Sequence, residues 1–304
     1  MMEIKTPLSV PRDKKNEYHQ NYRRLTNNSG QLFLIAGDQK VEHLNGDFCG
    51  TGISPEDNTP EHLFKIAAAT RGGVLATHLG LISRYGQDYR TVPYIIKLNG
   101  KTNIGPGEEK NSSRIWWTIE DIVKFKKQSA LDIVGIGYTL YLGGKYEAKM
   151  LATAAQAIFQ AHQAGLTAIL WVYPRGKNIK EEDIRTIAGG AGVAASLDAD
   201  FVKVKYPYDG RNKKVTAEKF KEVVAAAGRT KVICVGGGKR STKELLEYLK
   251  TQMEIAGTNG LAIGRNLHQR SLKEAAGLSA AIEKIIFYHD NKPNRKTGKF
   301  LGLF

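Results

Sequence analysis

Eight short apolar runs rich in β-branched residues alternate with longer helix-patterned segments, at residues 32–38, 73–80, 93–99, 132–139, 168–174, 200–206, 231–237 and 260–265. Near-continuous runs such as Leu32-Phe33-Leu34-Ile35-Ala36 suit parallel strands covered on both faces. Helical signals fill the intervals. Thr59-Pro60-Glu61, and Thr118 followed by Asp121, carry N-cap and first-turn chemistry. Within 146–163, Leu151, Ala154, Ala155, Ile158 and Phe159 form an apolar stripe at helical spacing. Further helices are predicted over 181–197, 217–227, 241–250 and 272–288. Strand–helix alternation builds right-handed βαβ units. Eight in succession predict an α/β chain closed into a (β/α)8 barrel (a TIM barrel), with a doubly wound open sheet as the runner-up.

The 304 residues then divide into an N-terminal extension at 1–30, one barrel domain at 31–290 and a basic tail at 291–304. Both ends are read either as mobile or as subunit contacts. The 45 Lys and Arg exceed the 30 Asp and Glu, giving a formal charge of +15, which raises the question of a nucleic-acid partner. The bases form no single stripe interleaved with aromatics, and no RNA-binding motif is present. Nucleic acid is therefore disfavoured, and a catalytically inactive, basic RNA-binding barrel stands only as the alternative of a different class. No run approaches the ~20 apolar residues of a membrane helix, and the N-terminus holds no apolar stretch of signal-peptide length, so a cytoplasmic protein is expected. Cys49 and Cys234 have no second pair, and the seven His show no paired spacing. Neither a metal site nor a cofactor is expected.

In a barrel the chemistry sits at the C-terminal ends of the strands. The polar residues there are Asp38, His78, Lys97, Asn99, Trp171, Tyr173, Arg175, Lys203 and Lys205. Strand side chains alternate faces, so 171, 173 and 175 share one face, and so do 203 and 205. Two lysines inside an apolar strand are costly to bury. A lysine there, with a second cation two residues away, has its neutral form favoured by desolvation and by repulsion, as a Schiff-base amine requires. The structural alternative is a strand-end Lys that reaches solvent or pairs with Asp38. Tyr173 could move a proton near a carbonyl, Trp171 could wall the site, Arg175 could clamp an anion, and Lys97 could add to the positive field. Asp38 could orient the amine or relay a proton, or it could simply cap a helix. Gly236-Gly237-Gly238 and Gly264-Arg265-Asn266 follow the seventh and eighth runs, where barrels hold phosphate on backbone N–H groups and helix termini.

In strand order from about Leu32 to Tyr288, these residues resemble the archaeal-type class I fructose-bisphosphate aldolases, relatives of deoxyribose-phosphate aldolase. The segments that carry the resemblance are Trp171-Val172-Tyr173-Pro174-Arg175-Gly176, Asp200-Phe201-Val202-Lys203-Val204-Lys205-Tyr206, Gly236-Gly237-Gly238 and Gly264-Arg265-Asn266. The resemblance implies that Lys203, rather than Lys205, forms the Schiff base. It implies proton transfer by Tyr173, and Asp38 and Trp171 beside the reacting centre. One substrate phosphate would lie on Gly237, Gly238, Gly264 and Arg265, and the other near Arg175. It further implies a phosphorylated sugar substrate, no metal, and a homo-oligomer, since family members form rings of barrels that are sometimes doubled into decamers. Family members often place His-Gly between the strand-1 Asp and a Glu-His pair. This chain keeps Asp38 and Glu42-His43 but reads Gln39-Lys40-Val41 between them. Another lysine-dependent aldolase or transferase acting on a phosphorylated keto sugar is the same-fold alternative.

Overall fold

The computed structural model describes residues 3–105, 111–208 and 212–288. The eight runs form strands β1 (Leu32–Ala36), β2 (Gly73–His78), β3 (Tyr94–Lys97), β4 (Ile133–Leu142), β5 (Thr167–Pro174), β6 (Phe201–Val204), β7 (Lys231–Val235) and β8 (Gly260–Ile263). All neighbours are parallel, and β1 pairs with both β2 and β8, which closes the sheet into a barrel. The open-sheet alternative is thereby removed. Helices cover the outside, and the apolar side chains between helices and strands form the larger core. A smaller core fills the barrel, with Leu34, Val74, Ile95, Ile169, Trp171, Phe201 and Ile233 among its members. No described helix is long and apolar enough to cross a membrane.

Local chemistry sets the helix starts. Thr118 accepts from the Asp121 N–H while Asp121 bonds back to the Thr118 N–H, so the N-cap read from sequence is a full capping box that opens the helix Ile119–Ser129. Ser241 and Ser271 cap the last two long helices in the same way through the N–H groups of Glu244 and Glu274. After β3, Asn99–Gly100 pairs antiparallel with Arg114–Ile115. Asn99 is structural: its amide brackets the Thr139 backbone, accepting from the N–H and donating to the C=O, each at 2.8 Å. It ties the end of β3 to β4, which runs on to Leu142 beside β5.

The described part of the N-terminal extension packs against the barrel. Residues Lys15–Leu25 form a helix whose buried Tyr18, Tyr22 and Leu25 join the core inside the barrel, with Tyr22 stacked on Phe201 at 6.0 Å between ring centroids. The spacing of these three residues is helical, but their polar neighbours hide the stripe in a composition reading. The predicted tail at 291–304 lies outside the described residues.

Below this helix, Asp200 at the foot of β6 collects the Tyr18 hydroxyl, the Ala168 N–H at 2.7 Å and His162 Nε2 at 3.2 Å. The other ring nitrogen of His162 reaches Ser9 Oγ at 2.7 Å, and Ser9 donates to Asp198. Burial alone would depress the His162 pKa, but hydrogen bonds to Asp198 and Asp200 outweigh it and hold the value at about 9. A pKa raised above the unfolded value stabilises the fold fully below about pH 6.5 and loses that stabilisation as pH rises through about 9. The contribution is on the order of 3 kcal/mol. The unfolding temperature of the unsubstituted protein should therefore exceed that of His162→Gln by several degrees at pH 6. The gap should narrow by pH 10, as thermal melts of the two proteins would show, and a pH-independent gap would exclude a charged His162.

Candidate active site

The C-terminal ends of the strands enclose a cavity of about 270 Å³. Each side chain is placed there by strand alternation. Trp171, Tyr173 and Arg175 all line it, as do Lys203 and Lys205, as their shared faces require. Asp38 comes from the end of β1 and Thr139 from β4, and Gly237, Gly264 and Arg265 come from the last two loops. A larger hollow of about 610 Å³, lined by Lys101, Arg114 and Lys149, lies outside the barrel between Asn99–Gly100 and Glu147–Gln163. The smaller cavity is where the sequence-predicted groups converge.

Two buried lysines, one of them lining the cavity, share one aromatic ring. Lys203 is 4 % exposed and Lys97 1 %, and their Nζ atoms lie 5.0 and 4.3 Å from the Trp171 ring centroid. The ring gives both ammonium groups a cation–π partner in place of part of the water they lose on burial. Gly137 on β4 makes the arrangement possible. A Cβ there would stand 2.4 Å from the Trp171 ring and 3.0 Å from Lys97 Cδ, so any larger residue would push both away.

Burial pulls the Lys203 pKa below its usual value, with Asp38 and then Glu42 opposing through space. Burial likewise lowers Lys97 to about 8, against the same carboxylates and with help from the Lys203 charge. Burial works against the Asp38 charge, yet Lys203 first, then Lys97 and His78, pull its pKa below the ordinary carboxylate value. His78 is held at about 4 by burial and by Lys97, so it is neutral at physiological pH. Its ring packs against Trp116 at 4.6 Å. Tyr173 is pushed upward by burial and by Glu42 and Asp38, so its phenol keeps its proton. The Arg175 guanidinium lies 4.9 Å over the Tyr173 ring.

Several expectations need correction. The cation that shares the ring with Lys203 is Lys97, not Lys205, whose Nζ is drawn off to Glu182 at 3.0 Å and Glu181 at 3.6 Å. Lys97 does not itself line the cavity; it donates to Thr139 Oγ1 at 2.5 Å and acts on the site through charge and through Trp171. Gly238 also stands off the lining, and its carbonyl accepts from Asn266 Nδ2 at 2.9 Å. Asn266 thereby pins the loop, and Gly237, at φ +69°, makes the turn that only glycine takes readily. Asp38 precedes the short helix Gln39–Glu42 but makes no capping hydrogen bond, so the helix-cap reading fails. Gln39, Glu42, His43, Thr139 and Glu181 also line the cavity, although none was singled out from sequence as a site residue. Glu42, which accepts from the Tyr141 hydroxyl at 3.1 Å, ends the short helix after β1, at the end of the barrel where chemistry is expected.

The model of the DeoC/LacD family aldolases matches residues 32–270, all eight strands of the barrel and the loop after the last of them. The chain belongs to the DeoC/LacD aldolase family. Among related aldolases, a protein of Methanocaldococcus jannaschii named "Fructose-bisphosphate aldolase/6-deoxy-5-ketofructose 1-phosphate synthase" is 49 % identical over 284 residues, 93 % of this chain and 90 % of that one. The solved fructose-bisphosphate aldolase of Slackia heliotrinireducens superposes with a TM-score of 0.90 at 46 % identity, covering 95 % of this chain and 91 % of its own. An archaeal fructose-1,6-bisphosphate aldolase, solved with its catalytic Lys covalently bound to a carbinolamine intermediate, reaches a TM-score of 0.74 at 28 % identity, covering 88 % of this chain and 99 % of its own. The resemblance read from the motifs and the family membership therefore agree.

Proposed function

We propose that this aldolase reversibly cleaves fructose 1,6-bisphosphate into dihydroxyacetone phosphate and glyceraldehyde 3-phosphate through a Schiff base on Lys203. The observation that carries the reading is that, of the two buried lysines on the Trp171 ring, Lys203 is the one that lines the cavity, with its pKa lowered by burial. Its neutral amine adds to the C2 ketone, and the carbinolamine loses water to give an iminium. The C4 hydroxyl gives up its proton, the C3–C4 bond breaks, and the electron pair enters the iminium to form an enamine while the aldehyde leaves. Protonation at C3 and hydrolysis release the ketone product and restore the amine. Tyr173 relays the proton at these steps, passing its own to a neighbouring carboxylate of the cavity as it takes that of the C4 hydroxyl and later giving one to C3, and the Asp38 carboxylate beside Lys203 favours the cationic iminium. Gly237, Gly264 and Arg265 hold one phosphate, and Arg175 and Lys205 face the other.

A second activity in the same site, joining dihydroxyacetone phosphate to a 2-oxoaldehyde to give a 6-deoxy-5-keto sugar 1-phosphate, is favoured by one observation. The cations at the Arg175 end are already matched by carboxylates, which suits an acceptor without a phosphate. Borohydride reduction in the presence of dihydroxyacetone phosphate, followed by peptide mapping, should place the adduct on Lys203. An adduct on Lys97, or none, would overturn the assignment.

A further inference from the structure

We infer that Glu181 is a specificity-determining residue: its carboxylate stands in for the second phosphate between Arg175 and Lys205, and so sets how far the site prefers a doubly over a singly phosphorylated sugar. The inference rests on the aldolase reading above. Glu181 lines the catalytic cavity. One of its oxygens lies 3.5 Å from Arg175 Nε and the other 3.6 Å from Lys205 Nζ. A carboxylate that spreads its two oxygens over two cations does what two oxygens of a phosphate would do in the same place.

The loop that presents Glu181 is built into the barrel rim. The Arg175 N–H donates to the Leu142 carbonyl at 2.7 Å, and the Ile179 N–H to the Gly176 carbonyl at 3.2 Å. The Ile179 side chain fills the space beside Gly143, where a Cβ would lie 1.8 Å from its Cδ1. The loop then closes onto the helix Ile184–Ser196, whose first turn is capped by Asp183 accepting from the Thr186 N–H at 2.9 Å.

The two ends of the cavity therefore differ. At the glycine end Arg265 pairs with a single carboxylate oxygen, of Asp47, at 3.9 Å. At the other end an incoming phosphate must take Arg175 and Lys205 away from Glu181 and repel that carboxylate as it leaves. A substrate without a phosphate there leaves the bridge in place. All three side chains are roughly a third exposed, 35 % for each cation and 37 % for Glu181, so water screens the exchange. An effect of about 3- to 10-fold on substrate preference is the scale expected of such pairs.

The test compares cleavage of fructose 1,6-bisphosphate and fructose 1-phosphate by the full chain and its Glu181→Gln variant. The ratio of kcat/KM, bisphosphate over monophosphate, should rise about 3- to 10-fold in the variant, mainly through KM for the bisphosphate. The rise should fade at about 0.5 M salt, where the Debye length falls to a few ångströms. Glu182→Gln should move the ratio less, since Glu182 pairs with Lys205 alone. An unchanged ratio, or equal changes with both substrates, would overturn the inference. If the borohydride adduct on Lys203 is retained in that case, only the role of Glu181 fails. If the unsubstituted protein gives no adduct, the aldolase reading fails and takes this inference with it.

Discussion

Lys203→Met is expected to lower kcat for fructose 1,6-bisphosphate cleavage by about 10⁴-fold or more, because the covalent electron sink is lost outright. Methionine matches the lysine stem in length and can lie on Trp171, whose ring Lys203 already covers. The phosphate-holding groups are untouched, so dihydroxyacetone phosphate should still bind, with a dissociation constant changed by no more than several-fold. Lys97 is the only other buried lysine on that ring among the described residues, and it should not take over. It is turned to Thr139 and stands off the cavity lining. The Lys203 charge is one of the causes that keep the Lys97 pKa down, so removing it makes Lys97 harder to deprotonate. Asp38 loses its foremost cationic neighbour at the same time, and its carboxyl should titrate at higher pH than in the unsubstituted protein. Steady-state rates, ligand titration and borohydride trapping on the same sample separate these effects. Residual turnover within about 100-fold of the unsubstituted protein would place the nucleophile elsewhere.

What could be read from the residues follows from which physical signals are local. Period-two alternation places Trp171, Tyr173 and Arg175 on one face without any knowledge of neighbours, and the cavity contains all three. Two lysines in an apolar strand announce chemistry because burying an ammonium is costly wherever the strand lies. The partner of each lysine is a different matter, since it depends on register between strands. Lys97 meets Lys203 only because β3 aligns with β4 at Gly137 and β5 aligns with β6 at Trp171 and Lys203. Gly137 carries no side chain and gives no signal in sequence, yet its missing Cβ is what admits the Trp171 ring. Glu181 and Glu182 read from sequence as the first turn of the helix predicted over 181–197, but that helix starts at Ile184 and leaves both in the preceding loop. Their role emerges only when that loop folds back over the ends of β5 and β6. Asp200 likewise reads as the polar start of a strand, while the fold makes it the anchor for Tyr18 and His162.

Tyr173→Phe is expected to lower kcat by about 10²- to 10³-fold, the scale of a single positioned proton-transfer group. The substitution removes one oxygen and keeps the ring, which is held by the Arg175 guanidinium at 4.9 Å and by Tyr141 at 6.2 Å between centroids. The half-buried ring should therefore keep its place and the unfolding temperature should barely move. Imine formation on Lys203 does not need the phenol, so borohydride should still trap dihydroxyacetone phosphate at Lys203 in the variant. The loss should fall on carbon–carbon bond cleavage and on protonation of the enamine, which exchange of the C3 proton with solvent reads directly. The pH profile separates the two residues. The Lys203 amine must be neutral to attack, so the acid limb of kcat/KM belongs to a lysine whose pKa lies below the ordinary value, and Tyr173→Phe should leave that limb in place. Burial with Glu42 and Asp38 keeps the phenol protonated across the neutral range, so Tyr173 takes the C4 hydroxyl proton only while passing its own to a neighbouring base, and it then donates at C3. A loss of less than about 10-fold would move the proton route elsewhere. Glu42, which lines the cavity and accepts from the Tyr141 hydroxyl, would then be the carboxylate to substitute next.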